Sequence, residues 1–232
     1  MNASWGPRGF ISTFERIKKQ QISLEQIIDV GAARGQWTRE CMAVWPGADY
    51  FLIEPQEENW DRLKRLQNEH RQVKFWIGGL GGAPGSMDLY IHDEQSSFLR
   101  SEFSQSTDSQ LLKVEIRTLD SFMEAGDIAA PDLIKLDVQG YEIEVLKGAE
   151  RCLESAELLL IEVSYRKIYE KSPLAHEVVS WVGQRGFRIL DICTYTQRPW
   201  DGELAQSDIL FARESSRLFE PEGWRKNKPV DE

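Results

Sequence analysis

The sequence predicts a doubly wound α/β fold, and three stretches carry that prediction. Residues 27–38 read as a short apolar strand, a turn punctuated by Gly31 and Gly35, and the start of a helix. Residues 50–54 are a second apolar run of strand length, ending in the carboxylate of Glu54 at the separation from the first turn that such folds use. Residues 132–149 repeat the strand, turn and helix, with Gly140 at the turn. Strands that alternate with helices in this way build a largely parallel sheet.

A chain of 232 residues can bury a sizeable core as one domain. We expect that domain over residues 1–213, with an inserted hairpin and lid loop at 86–117 and a polar tail at 214–232. The hydrophobic fraction of 41% and charged fraction of 28% describe a soluble globular protein. A net charge of -10 argues against a dedicated nucleic-acid binder, which needs a basic face to neutralise phosphates. Cys41, Cys152 and Cys193 are far apart and odd in number, so neither a disulfide framework nor a paired-cysteine metal site is expected. The chain carries no apolar run of signal-peptide or bilayer length, and the cytoplasm is the expected location.

The elements follow in order. Phe10, Phe14, Ile17 and Leu24 among basic residues predict a short amphipathic helix that leads into the first strand and caps an edge of the sheet. Glycine at 31 lets the chain turn sharply and a ligand approach bare backbone, and Gly35 lets the next helix sit close. That helix places Trp37, Cys41, Val44 and Trp45 on the sheet and leaves Arg39 and Glu40 in water. A pyrophosphate-binding turn uses a third glycine where Ala33 stands, and Asp29 would repel phosphate while suiting a sulfonium. The turn therefore favours S-adenosylmethionine over NAD, although an ordinary strand-to-helix turn has the same pattern. Glu54, fixed at its strand end by Pro55, offers two oxygens to a ribose diol, or alternatively caps a helix.

Beyond Glu54 a helix is expected with Trp60, Leu63 and Leu66 on one side and Lys64 and Arg65 on the other, then a strand at 73–77. The glycine-rich residues 78–85 place Gly79 and Leu80 beside an adenine, or form a hairpin approach. Residues 86–92 and 113–117 alternate as strands and pair, and the polar stretch 93–110 between them reads as a lid. Thr118 caps a short helix. Lys135 and Asp137 share a face of the next strand, and a buried lysine requires a carboxylate from Asp137, Asp29 or Glu162. Such a pair is either architectural or stands at the mouth of a site. A buried strand at 157–163, a helix at 173–185 beginning near Pro173, and strands at 187–192 and 208–212 complete the order. The connection 193–207 would carry Tyr195 and Trp200 at the carboxyl rim, and the tail from Glu214 is expected to be partly disordered.

Taken together these residues resemble the FkbM family of S-adenosylmethionine-dependent methyltransferases. The resemblance rests on Ile28, Asp29, Val30, Gly31 and Ala32 with Gly35, on Glu54-Pro55, on Thr118-Leu119-Asp120, and on the dense run from Lys135 to Glu142 with Val145 to Ala149. It implies a class I methyltransferase fold: a seven-stranded, mostly parallel Rossmann-like sheet with helices on both faces and an antiparallel last strand. The family often has Asn where Ala33 stands and Glu where Gln139 stands. It also implies methyl transfer to an oxygen, commonly a hydroxyl of a sugar, glycan or secondary metabolite. The cofactor contacts would then come from Asp29, Gly31, Ala33, Gly35, Glu54, Pro55, Gly79, Leu80 and Asp137. Asp137 is the first choice of base and Glu162 the second, with Lys135 beside them. Asp137 and Glu162 could instead share a magnesium ion through oxygen ligands. His92, before the lid, and His70 and His176 are weaker candidates. The rival readings are a binding domain that takes up S-adenosylmethionine without turnover and an NAD-dependent oxidoreductase. The acceptor and the oligomeric state stay open.

Overall fold

The computed structural model describes residues 9–91, 96–101 and 111–219. Its first half runs α1 (Phe10–Lys19), β1 (Gln26–Val30), α2 (Gln36–Val44), β2 (Asp49–Glu54), α3 (Trp60–Glu69) and β3 (Val73–Ile77). Three strands follow, β4 (Gly79–Leu80), β5 (Gly85–Tyr90) and β6 (Leu111–Arg117), and then α4 (Leu119–Glu124) and β7 (Leu133–Leu136). The second half continues α5 (Glu142–Lys147), α6 (Glu150–Ser155), β8 (Leu158–Ser164), α7 (Ala175–Gly183), β9 (Phe187–Gln197) and β10 (Leu204–Arg213).

Seven strands form one sheet in the order β3-β2-β1-β7-β8-β10-β9. Pairing is parallel from β3 to β8, and β10 lies antiparallel to both β8 and β9. The two-residue period of the strands sorts side chains to two cores. Ile28, Val30, Phe51, Ile53, Ile134, Leu136, Leu159 and Ile161 pack with Phe122, Val145, Leu146, Val178 and Val182 of α4, α5 and α7. Ile27, Tyr50, Leu52, Leu133, Leu158 and Leu160 pack with Phe14, Ile17, Cys41, Leu63 and Leu66 of α1, α2 and α3. Asp29, Lys135 and Glu162 continue the second set at the same two-residue period, so these charged residues of the central strands project to the α1–α3 side.

Several expectations are corrected by packing. Trp60 is 47% exposed rather than buried with Leu63 and Leu66. A 3-10 turn at Glu57–Asn59 precedes α3 and turns Asn59 inward, which rotates Trp60 out to lie edge-on to Phe75. The single helix expected after the turn at Gly140 is two helices, broken at Gly148, where a Cβ would stand 2.1 Å from the Gly81 carbonyl oxygen. The connection 193–207 is mostly strand, because β9 and β10 keep pairing out to Gln197 and Leu204. Tyr195 and Trp200 are both exposed on that hairpin. Residues 214–219 are not loose: Ser216 bonds Glu157, and the guanidinium of Arg188 lies 4.2 Å from the centre of the Phe219 ring. The expected tail at 220–232 and His92 fall outside the described residues.

Helix α1 reaches the edge strand β9, where Thr13 and Arg16 donate to Asp191 at 3.0 and 2.9 Å, and it also packs on α2 through Phe14 and Trp45. The insert pairs as expected: β5 and β6 are antiparallel, and β4 adds to β6 in parallel, making a three-stranded sheet. Thr118 caps α4 by accepting from the Ser121 N–H. Of the expected lid, residues 96–101 are described, and they are pinned at both ends. Ser97 exchanges backbone hydrogen bonds with Tyr90, its hydroxyl donates to the Gln139 carbonyl at 2.7 Å, and the Glu170 N–H donates to the Arg100 carbonyl at 2.8 Å. No helix among the described residues is long and apolar enough to cross a membrane.

Candidate active site

Ligands in doubly wound sheets collect outside the carboxyl ends of the strands where the strand order reverses. Here that point lies between β1 and β7, and a cleft of about 930 Å³, open to solvent, sits over it. Gly31, Ala33, Glu54, Pro55, Gly79, Leu80 and Asp137 line it, together with Phe98 from the insert and Gln139.

On the β1–β2 side the walls are held by backbone. Glu54 is buried, and its carboxylate accepts from the N–H of Ala33 at 2.8 Å, the N–H of Gln56 at 2.9 Å and the amide of Asn59 at 3.3 Å. Burial raises its pKa, and the N–H groups of Gln56 and Ala33 and the Asn59 amide work the other way. Ala33 has a φ of 45°, the left-handed region, and this conformation accompanies the bond from its N–H to Glu54. Gly31 is required for a reason other than ligand approach. Its φ is 76°, and a Cβ there would lie 1.9 Å from the Asp137 carbonyl oxygen, so the missing side chain lets the ends of β1 and β7 meet.

Four expected site residues stand behind the cleft wall instead of in it. Asp29 is fully buried, accepts from the Thr38 hydroxyl at 2.7 Å and pairs with the Lys135 ammonium at 3.1 Å. Its charge is thus spent on a lysine, which removes the electrostatic reason for assigning it to a sulfonium. Gly35 faces Leu66 and Leu63 of α3, where a Cβ would meet Leu66 at 2.7 Å. Lys135 is buried rather than at the mouth; it donates to the Gly31 carbonyl at 2.9 Å and lies 3.7 Å from Asp137. Burial works to strip its proton, but Asp29 and Asp137 outweigh that and push its pKa up. Glu162 lies one residue further back, screened by Gln139.

On the β7–β8 side the walls are held by side chains. The Asp137 side chain is 37% exposed and follows the end of β7. Gln139 donates from one amide nitrogen to Asp137 at 2.8 Å and to Glu162 at 3.0 Å, and its amide oxygen accepts from the Tyr169 hydroxyl at 3.0 Å. Gln206 on β10 donates to Glu162 at 2.7 Å. Burial, and then the charges of Asp137, Glu142 and Asp208, push Glu162 up to about 9. A Glu162 that holds its proton at neutral pH is a poor base. The shared-magnesium expectation is also corrected here, because the Gln139 NH2 group occupies the bridge between the two carboxylates where a cation would lie. Among the described residues no group of three or more His, Cys, Asp or Glu is arranged to hold a metal ion. Asn59, Gln206 and Tyr169 were not anticipated: Tyr169 lies in an irregular loop, and only alternation with Asp208 on a strand could have marked Gln206.

Comparison with known proteins gives this geometry a family. The Methyltransferase FkbM domain description matches residues 29–189. The chain belongs to the FkbM methyltransferase family. Among curated relatives of this FkbM chain, hexuronic acid methyltransferase AglP of Haloferax volcanii is 28% identical over 138 residues, 58% of this chain and 54% of that protein. The 2-O-methyltransferase NoeI of Sinorhizobium fredii is 25% identical over 174 residues, 67% of this chain and 72% of that protein. Among solved structures, an FkbM methyltransferase from Methylobacillus flagellatus superposes with a TM-score of 0.58 at 18% identity, covering 89% of this chain and 48% of that one. A precorrin-6y C5,15-methyltransferase from Geobacter metallireducens reaches 0.50 at 11% identity, over 88% and 87% of the two chains. The chain thus spans about half the length of AglP and of the Methylobacillus protein. The fold is the class I methyltransferase fold.

The family is S-adenosylmethionine-dependent, and the residues of the cleft fit that cofactor. Glu54 lines the cleft with a buried carboxylate whose Oε1 already accepts twice and whose Oε2 accepts once, which leaves Oε2 able to accept from a ribose hydroxyl. Gly79 leaves a flat, apolar floor beside Leu80 and Phe98, because a Cβ at 79 would strike the Phe98 ring at 2.4 Å.

Proposed function

We propose that this FkbM methyltransferase transfers a methyl group from S-adenosylmethionine to a hydroxyl oxygen of a saccharide, with Asp137 as the base. The observation that carries the proposal is the placement of Asp137 in the same cleft as Glu54, its side chain partly exposed and held by the Gln139 amide. AglP acts on a hexuronic acid and NoeI is a 2-O-methyltransferase by their names, which supports a sugar oxygen as acceptor.

The cofactor supplies an activated sulfonium methyl, and its departure as a neutral thioether leaves one proton to be removed from the acceptor oxygen. Glu54 would hold the ribose diol, Gly79, Leu80 and Phe98 the adenine, and Pro55 the edge between them. Asp137 takes the hydroxyl proton as the new O–C bond forms, and Lys135 behind it compensates the carboxylate before that transfer. Alignment of the hydroxyl in the cleft provides the larger share of the rate, and a positioned base adds roughly 10²–10⁴-fold.

The test is isothermal titration with S-adenosylmethionine, S-adenosylhomocysteine and NAD, on the wild type and on Glu54→Ala, followed by an acceptor screen that begins with sugar hydroxyls. Adenosyl binding that is lost in Glu54→Ala, followed by methyl transfer to an oxygen, is the expected result. Preference for NAD, or binding with no acceptor methylated, sinks the proposal.

A further inference from the structure

The charge map of the β7–β8 wall is lopsided. Asp137, Glu162, Glu142 and Asp208 converge there from the end of β7, from β8, from α5 and from β10. Lys135 is the cation among them, and it is shared with Asp29 of β1. Carboxylates this close favour taking up protons, and a base that holds its proton is idle. The one neutral group placed between the carboxylates is the side chain of Gln139.

Every hydrogen-bonding atom of that side chain is committed. One amide proton goes to Asp137 Oδ1 at 2.8 Å and the other to Glu162 Oε2 at 3.0 Å, while the Tyr169 hydroxyl donates to Oε1 at 3.0 Å. These partners also fix which end of the amide is nitrogen, since the reversed side chain would aim an oxygen at two carboxylate oxygens. The backbone is committed as well. Gln139 sits at a φ of 53°, and its carbonyl accepts from the Ser97 hydroxyl at 2.7 Å.

We infer that Gln139 is a positioning residue that keeps Asp137 aimed and available as the proton acceptor by bridging it to Glu162 through its side-chain amide. The inference rests on the proposed O-methyl transfer for its consequence, and on the hydrogen bonds alone for its mechanism. Donation from a neutral amide holds the Asp137 carboxylate in place without adding a charge to the wall. The second proton ties that carboxylate to β8, so Asp137 cannot swing towards solvent. Glu162, already bonded by Gln206, acts as the fixed post. A glutamate at 139, the residue common in the family, would offer an acceptor to Asp137 where Gln139 offers a donor.

The experiment compares the wild type with Gln139→Met, which removes the donors at similar size, and with Gln139→Glu, which adds a charge, in the full chain. Affinity for S-adenosylhomocysteine and thermal melts establish that each variant is folded, and a crystal structure of each reports the Asp137 side chain. The expected result is an Asp137 carboxylate turned away from Glu162 in both variants, with kcat lowered about tenfold or more and KM for the cofactor unchanged. An Asp137 that keeps its orientation in both variants overturns the role of Gln139, whatever the wild type methylates. An Asp137 that turns as expected, in a wild type that methylates no hydroxyl, supports the bridge and overturns the transfer reading instead.

Discussion

Along the carboxyl ends of β1 and β2, the cleft wall is fixed mainly by main-chain N–H groups, those of Ala33 and Gln56 on Glu54. Along β7, β8 and β10, it is fixed by side chain on side chain, through Asp137, Gln139, Glu162, Tyr169 and Gln206. The first wall depends on how the backbone is bent, so it tolerates changes of side chain that keep the bend. The second depends on which side chains carry protons, so it responds to pH and to single isosteric changes. A cofactor common to a family and an acceptor peculiar to each member divide naturally along that line.

Lys135 stands where the two walls meet, and its removal should break both. Lys135→Met strands the Asp29 carboxylate in the core, and we expect a loss of about 3–5 kcal/mol in urea unfolding. Much of that loss should return in the double variant Asp29→Asn with Lys135→Met; strictly additive losses would show that the pair is not coupled.

Glu54→Ala should break the first wall alone. It removes the acceptor of a ribose diol and leaves two N–H groups unsatisfied, and affinity for S-adenosylhomocysteine should fall roughly 100-fold. The same titration on Glu162→Gln should give the wild-type affinity.

The pH dependence of stability sharpens the contrast. Glu162 is raised from 4.5 to about 9 and Glu142 from 4.5 to about 7, burial being the first cause in each. The folded state therefore keeps protons that the unfolded chain releases near pH 4.5, and stability falls as pH rises through that window. Between pH 7 and 9 the decline belongs chiefly to Glu162, at most about 1.4 kcal/mol per pH unit. Glu162→Gln should flatten that part of the curve in denaturant titrations and leave the protein more stable at pH 9. An unchanged slope would mean that Glu162 ionises freely.

The smallest effect is expected at Ala33. Alanine in the left-handed region is strained by about 1–2 kcal/mol, part of which glycine returns as greater freedom of the unfolded chain. Ala33→Gly should stabilise by about 0.5–1 kcal/mol in the same assay and leave cofactor affinity unchanged. A loss of stability would place the strain elsewhere.

The order of most elements along the chain was legible because apolar runs and glycine turns report local geometry directly. The buried lysine also announced itself: an uncompensated charge in an apolar strand demands a partner, and the chain offers few. What the sequence concealed was direction. Asp29 and Glu54 are both acids near the ends of neighbouring strands, yet one meets a lysine and the other the cleft, and only the packing of α2 over β1 separates them. The same holds for Trp60, turned outward by a single 3-10 turn, and for Gly31, whose freedom serves the neighbouring strand. Tyr169 and Gln206 were invisible because their value lies in meeting Gln139 and Glu162 respectively, thirty residues or more away in sequence.

The segment 96–101 is tied down at several points: Ser97 bonds Tyr90 and Gln139, Phe98 packs on Tyr141, Arg100 accepts from Glu170, and Ser101 bridges to Tyr169. One of those ties is the carbonyl of Gln139, so the segment that walls the cleft through Phe98 is coupled through a single residue to the bridge between Asp137 and Glu162.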